Sequence, residues 1–307
     1  MTPSRPHKQR WTAWLRAARP LAYPNLAAPL LCGQALAWEA HGAFAAGGLF
    51  AALAYGACNQ LYIVFLNDYA DRRADALNAR PTFFSGGSRV LPLGLLPPGA
   101  LLRAGLAAGA AALALAALYG AAGHDPAAPL LALAGLGLLW AYSFPPARLN
   151  YRGGGEALQG LGCGAVLPLL GFYFQAGTLE GFPWALPPVL AALNTVGSIG
   201  TSLPDAEADR RAGKKTWAAL RGTRAAGCAA LLLGGAGLGL SWASAVAGPA
   251  AHWPDAAAAL ALCAGLVACR DSGKPRDGAA TRDAVPGLLL ATVPQVYAAA
   301  YGRLWFN

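Results

Sequence analysis

Long apolar runs recur along the whole chain, separated by shorter polar stretches. They cover 20–38, 44–66, 100–121, 128–144, 157–177, 184–203, 224–247, 256–269 and 284–304. Most approach the roughly 20 residues that carry a helix across a hydrocarbon core of about 30 Å. The run 256–269 is the shortest. The pattern predicts an all-α integral membrane protein with about nine transmembrane helices. A single transmembrane domain over 1–307 is expected, opened by a basic segment over 1–18 in which Trp11, Trp14 and Leu15 are interleaved with Arg5, Lys8, Arg10 and Arg16. Such a mixture suits an amphipathic helix lying at the lipid headgroups.

Composition agrees with this reading. Apolar residues make up 56% and charged residues 12% of the 307 positions, about half the charged share of an ordinary soluble domain. Alanine and glycine dominate the runs and favour close helix–helix approach. The net charge of +9 would suggest a nucleic-acid partner if it were spread evenly, but it is graded. With nine spans, the segments 1–19, 67–99, 145–156, 204–223 and 270–283 share one side and, with Arg103 and Arg224, hold every lysine and arginine except Arg303. The opposite connections, near 39–43, 122–127, 178–183 and 248–255, hold none. This asymmetry excludes a soluble nucleic-acid binder and predicts a cytoplasmic N-terminus in the inner (cytoplasmic) membrane. The six cysteines lie scattered in apolar runs without a CxxC pair and read as small buried hydrophobes.

Two acidic clusters stand at the ends of the second and sixth runs. In Asn67-Asp68-Tyr69-Ala70-Asp71-Arg72-Arg73-Ala74-Asp75 the carboxylates fall at i, i+3 and i+7, one face of a helix. In Asp205-Ala206-Glu207-Ala208-Asp209, Asp205 and Asp209 again share a face, and Gly213-Lys214-Lys215-Thr216 follows. Carboxylates so close repel one another unless a cation lies between them. Oxygen-only donors suit a hard divalent ion, Mg²⁺ first, whose shell is completed by water and substrate phosphates. A diphosphate on an apolar tail requires this arrangement at the cytoplasmic mouth of an apolar cavity. An ion-coupled transporter is the competing class, but its carboxylates belong near the bilayer midplane.

Other residues on the basic side extend the candidate site. Arg148, Tyr151 and Arg152 precede Gly153-Gly154-Gly155-Glu156 and offer phosphate contacts, as do Arg72 and Lys214. Asn25, a polar residue within the first run, reads either as an interhelical hydrogen bond or as a substrate contact. The stretch from Ala76 to Pro98, with Arg80-Pro81 and Ser85-Gly86-Gly87-Ser88-Arg89, is longer than a minimal connection and reads either as a flexible lid or as a plain connector.

At these residues the chain resembles the UbiA superfamily of intramembrane aromatic prenyltransferases. Asn67 to Asp75 matches that family's NDxxDxxxD motif, and Asp205 and Asp209 with Gly213, Lys214 and Thr216 look like its second motif and basic tail. The resemblance implies nine transmembrane helices around a central cavity, Mg²⁺ as cofactor and a polyprenyl diphosphate as donor. It also implies metal and diphosphate binding by Asn67, Asp68, Asp71, Asp75, Asp205 and Asp209. Gly86-Gly87-Ser88-Arg89-Val90-Leu91 and Tyr151-Arg152-Gly153 with Glu156 are similar to the 1,4-dihydroxy-2-naphthoate branch of menaquinone biosynthesis. That compound is the expected aromatic acceptor, with 4-hydroxybenzoate as the alternative.

Overall fold

The computed structural model describes residues 7–78, 86–123, 126–244, 253–271 and 288–298. Of the candidate lid, residues 79–85, Arg80 among them, lie outside the described residues. Within them the chain is helical and has no strand. Helix α1 spans His7–Ala18, and a 3₁₀ turn over Pro20–Ala22 leads into α2, Pro24–His41. There follow α3 Ala46–Leu77, α4 Pro98–Gly123, α5 Ala127–Ser143, α6 Leu149–Arg152 and α7 Gly155–Leu161. A π turn over Gly162–Val166 joins α7 to α8, Leu167–Ala176. The chain continues through α9 Leu186–Ser202, α10 Ala206–Ala212, α11 Trp217–Ala243 and α12 Trp253–Asp271 to α13, Leu288–Ala298.

Among the described residues, four stretches are long and apolar enough to cross a membrane: Ala46–Leu77, Pro98–Gly123, Gly155–Ala176 and Trp217–Ala243. Where they are described, the remaining predicted runs also fall on helices, several of them shorter, such as Ala127–Ser143 and Leu288–Ala298. Local chemistry explains the boundaries. Pro24 opens α2 at a position where its missing N–H is no loss. No proline interrupts α3, which therefore runs unbroken from the second apolar block through the first acidic cluster. The fifth block is not one regular helix. Its π turn lies just before Pro168, which has no N–H to offer the preceding turn.

Glycines on both partners let α2 and α8 touch backbone to backbone. A side chain at Gly33 of α2 would overlap the Pro168 carbonyl of α8, and one at Gly171 of α8 would overlap the Leu30 carbonyl of α2. Helix α9 is buried along much of its length, with Leu186, Leu190 and Leu193 fully enclosed. Helix α1 packs Ala13 and Ala17 inward and sets Trp14 against Phe65 at 5.6 Å, while Trp11 and Leu15 remain outward and exposed. These contacts hold α2, α3, α5, α7 and α9 around a cavity of about 320 Å³.

Candidate active site

Helix α3 lines the cavity with one row of side chains. Asn67, Asp71 and Asp75 lie four residues apart, so they stack on a single face and all reach the cavity. The opposite wall carries Asp205, Asp209 and Lys214. Lys214 joins the walls: its Nζ lies 2.8 Å from Asp71 Oδ2 and 3.4 Å from Asp209 Oδ1. The two acidic clusters therefore face the same space.

Asp71 is the most heavily engaged group. Besides Lys214, its carboxylate accepts hydrogen bonds from Tyr151 Oη at 3.2 Å, Asn67 Nδ2 at 3.3 Å and Asn150 Nδ2 at 3.4 Å. Burial, with the Asp71 carboxylate beside it, pushes the Tyr151 hydroxyl up to about 12, so it stays a donor. Burial disfavours the Lys214 ammonium, yet Asp71 and Asp209 more than offset this, and its pKa lies well above that of a free lysine. Burial raises the Asp209 carboxyl to about 6 although Lys214 opposes the shift.

Asp205 and Asp209 share a face, Asp209 N–H bonding Asp205 O at 2.7 Å, but on a short helix set apart from α9. Pro204 has no N–H to continue α9, so the chain tightens into i→i+3 turns after Gly200, and Asp205 becomes the N-cap of the separate helix α10. Helix α10 ends at Gly213 in the left-handed region, with Gly213 N–H on Arg210 O and Lys214 N–H on Asp209 O. This turn aims Lys214 back across the cavity. Thr216 caps α11 by accepting Ala219 N–H and also donates to Asp209 Oδ2 at 3.4 Å.

Asp68 departs from the expected arrangement. Its two oxygens are taken by Arg19 Nη2 and Ser88 Oγ, and it turns toward α1 and residues 86–90 rather than into the cavity. The row that faces inward is Asn67, Asp71 and Asp75. Arg72 also turns away, donating to Tyr69 O at 2.5 Å and lying over the Tyr69 ring at 4.5 Å. Arg148 stacks on Tyr151 at 3.7 Å, and Arg152 is exposed. Of the five side chains expected to contact phosphate from this side, Lys214 lines the cavity and Tyr151 reaches it through Asp71. Asn25 makes an interhelical hydrogen bond, accepting from Gln295 Nε2 of α13 at 2.8 Å, and it also lines the cavity.

Arg19 and Asn78 escaped the sequence reading, and so did the partners of Gly86, Arg89 and Glu156. Arg19 lines the cavity and pairs with Asp68 from a left-handed backbone (φ 45°). Arg89, also left-handed (φ 65°), donates to Asn78 O at 3.0 Å and to Asp75 O. Non-glycine residues hold that conformation at a cost of about 1–2 kcal/mol, which the surrounding contacts must offset. Asn78 Nδ2 reaches Asp205 Oδ1 at 2.8 Å, and Gly86 N–H reaches Asp205 Oδ2 at 3.0 Å. Residues 86–89 thus touch both acidic clusters. Asn78, one turn beyond Asp75, was findable by extending the helical row. Glu156 is buried beside the cavity and accepts Trp217 N–H at 2.8 Å, holding the start of α11.

The donors on these walls are carboxylate and amide oxygens, the chemistry of a hard divalent cation. Among the described residues no three acidic, histidine or cysteine side chains already converge into a cage. The fit is to a cation shared with oxygens that a ligand brings. A profile of the UbiA prenyltransferase family matches residues 26–291. The chain belongs to that family. It is a membrane prenyltransferase, and its fold agrees. A UbiA homologue from Aeropyrum pernix K1 superposes with a TM-score of 0.69 at 20% identity, covering 91% of this chain and 96% of that one. A UbiA homologue from Archaeoglobus fulgidus bound to GPP and Mg²⁺ gives 0.62 at 19% identity, covering 94% and 99%. A digeranylgeranylglyceryl phosphate synthase gives 0.64 at 15% identity, covering 96% and 98%. No curated protein matches this prenyltransferase in sequence.

Proposed function

We propose that this prenyltransferase moves a polyprenyl group from its diphosphate to an aromatic quinone precursor, 1,4-dihydroxy-2-naphthoate, with Mg²⁺ as cofactor. The observation that carries the reading is Lys214 between Asp71 and Asp209, which puts both acidic clusters at one end of an apolar cavity. Asn67, Asp71 and Asp75 would hold one ion and Asp205 and Asp209 a second. Bound magnesium supplies positive charge to the diphosphate as the allylic carbon–oxygen bond breaks. Lys214 and Arg19 add charge-assisted hydrogen bonds to the departing oxygens. Leu138, Leu139, Ile63 and Val64 line the cavity and keep water from the allylic cation. The ring attacks that carbon and then releases a proton. The naphthoate assignment rests on the likeness of residues 86–91 and 151–156 to that branch, and 4-hydroxybenzoate is the acceptor to test against it.

The same reading makes 1–307 one domain with nine spans in the inner membrane, the N-terminus and the acidic mouth on the cytoplasmic side. Purified protein is incubated with labelled prenyl diphosphate, Mg²⁺ and each acceptor in turn. Prenylated naphthoate is the expected product, with EDTA stopping its formation and added Mg²⁺ restoring it. Product from 4-hydroxybenzoate alone would overturn the acceptor. Release of no diphosphate with any acceptor would overturn the reaction.

A further inference from the structure

The cavity has a floor as well as a mouth. Down α3 from Asp71, the cavity-facing positions continue through Asn67, Ile63 and Asn59 to Tyr55, each four residues from the last. At 1.5 Å per residue, Tyr55 lies about 18 Å from Asn67 and about 24 Å from Asp71 along the helix. Tyr55 is fully buried, and its ring packs against Phe174 with centroids 5.7 Å apart. Its hydroxyl has no hydrogen-bond partner among the described residues. Opposite stand Gly135 of α5 and Val166 of the π turn: a methyl at Gly135 would lie 3.3 Å from Val166 Cγ1 and 3.7 Å from the Tyr55 hydroxyl. Farther from the carboxylates come Ala52 on α3 and Ala132 and Ala128 on α5, small side chains in the same core cluster as Tyr55. The Tyr55 ring therefore closes this end of the cavity, with these alanines and the rings of Tyr173 and Phe174 packed around it.

We propose that Tyr55 sets the length of prenyl tail this enzyme accepts, its ring forming the stop for the tail's far end and Gly135 leaving the space beside it. This rests on the prenyl-transfer reading above, with the tail running down α3 from the acidic mouth. An extended chain advances about 1.2 Å per bond, so a five-carbon unit with four bonds along the chain advances about 5 Å. The distance from the mouth to Tyr55 then holds about four units. Residues that touch the tail act through bulk, so the hydroxyl itself is dispensable.

The test uses the full chain in detergent with Mg²⁺, labelled prenyl diphosphates of increasing length, and an acceptor that the wild type prenylates. Wild-type kcat/KM should peak near four units and fall about tenfold or more beyond, the scale on which a hydrophobic pocket discriminates. Tyr55→Ala should move the peak at least one unit longer, and Gly135→Val should move it shorter. Tyr55→Leu gives the same direction as alanine with a smaller void, should the alanine variant fail to fold. Tyr55→Phe should leave the profile unchanged. An active wild type whose profile is the same in folded Tyr55→Leu and Gly135→Val variants would overturn the stop. So would a shift in Tyr55→Phe as large as in Tyr55→Leu, which would transfer the role to the hydroxyl. Failure of the prenyl-transfer reading looks different: the wild type then transfers no tail of any length.

Discussion

Lys214 is the residue on which the site balances. Its side chain is 10% exposed and bridges two carboxylates that would otherwise repel across the cavity. Lys214→Met keeps the length and removes the charge. Its kcat should fall by about 10²–10³-fold, the scale seen when one positioned donor to developing negative charge is lost. Initial rates at saturating substrate measure it. Asp68 and Asp71 separate by the same reasoning. Asp68→Asn loosens Arg19 and Ser88, so kcat should drop while the Mg²⁺ concentration giving half-maximal rate stays within about twofold. Asp71→Asn should raise that concentration by tenfold or more, about 1.4 kcal/mol of lost affinity. Equal Mg²⁺ dependence in the two variants would refute the division. The sequence made both aspartates visible but not their difference. Spacing alone grouped Asp68 with Asp71 and Asp75, whereas what turns Asp68 aside is Arg19, 49 residues earlier in the chain. Within residues 148–152 the sequence marked Arg148, Tyr151 and Arg152; Tyr151 does contact Asp71, and so does neutral Asn150, which charge could not mark.

Among the elements, α10 and the start of α11 carry half of the site on very little chain. Helix α10 has seven residues, so its position depends on its ends: Asp205 at one, the Gly213 turn at the other, and Thr216 immediately after. Thr216→Ala removes the cap of α11 and the hydroxyl beside Asp209 together. It should lower stability by about 1 kcal/mol, read as a reduced midpoint of thermal unfolding in detergent. A larger loss of activity than of stability would mark the hydroxyl's effect on Asp209. The apolar periodicity made the long helices legible, because burial in lipid and in the bundle both demand continuous apolar runs. It could not show that the fifth run contains a π turn or that Pro204 detaches α10 from α9. Those breaks follow from single missing N–H groups, to which a hydropathy window is blind.

For the whole molecule, the graded charge is the feature most open to direct measurement. Reporter fusions or cysteine labelling after residues 19, 98, 152 and 221 should all report the cytoplasmic face, and those near 42 and 180 the opposite one. A single reversal among the first four would refute the nine-span arrangement. Tyr55 and Asp75 ride on one uninterrupted rod, α3, with no loop between them to absorb an error. Adding or removing a single residue within that interval rotates everything beyond it by about 100° and swings the carboxylates out of register with Lys214. Depth and phase are locked together, so this lineage can retune its reach by exchanging bulky side chains for small ones but not by lengthening the rod.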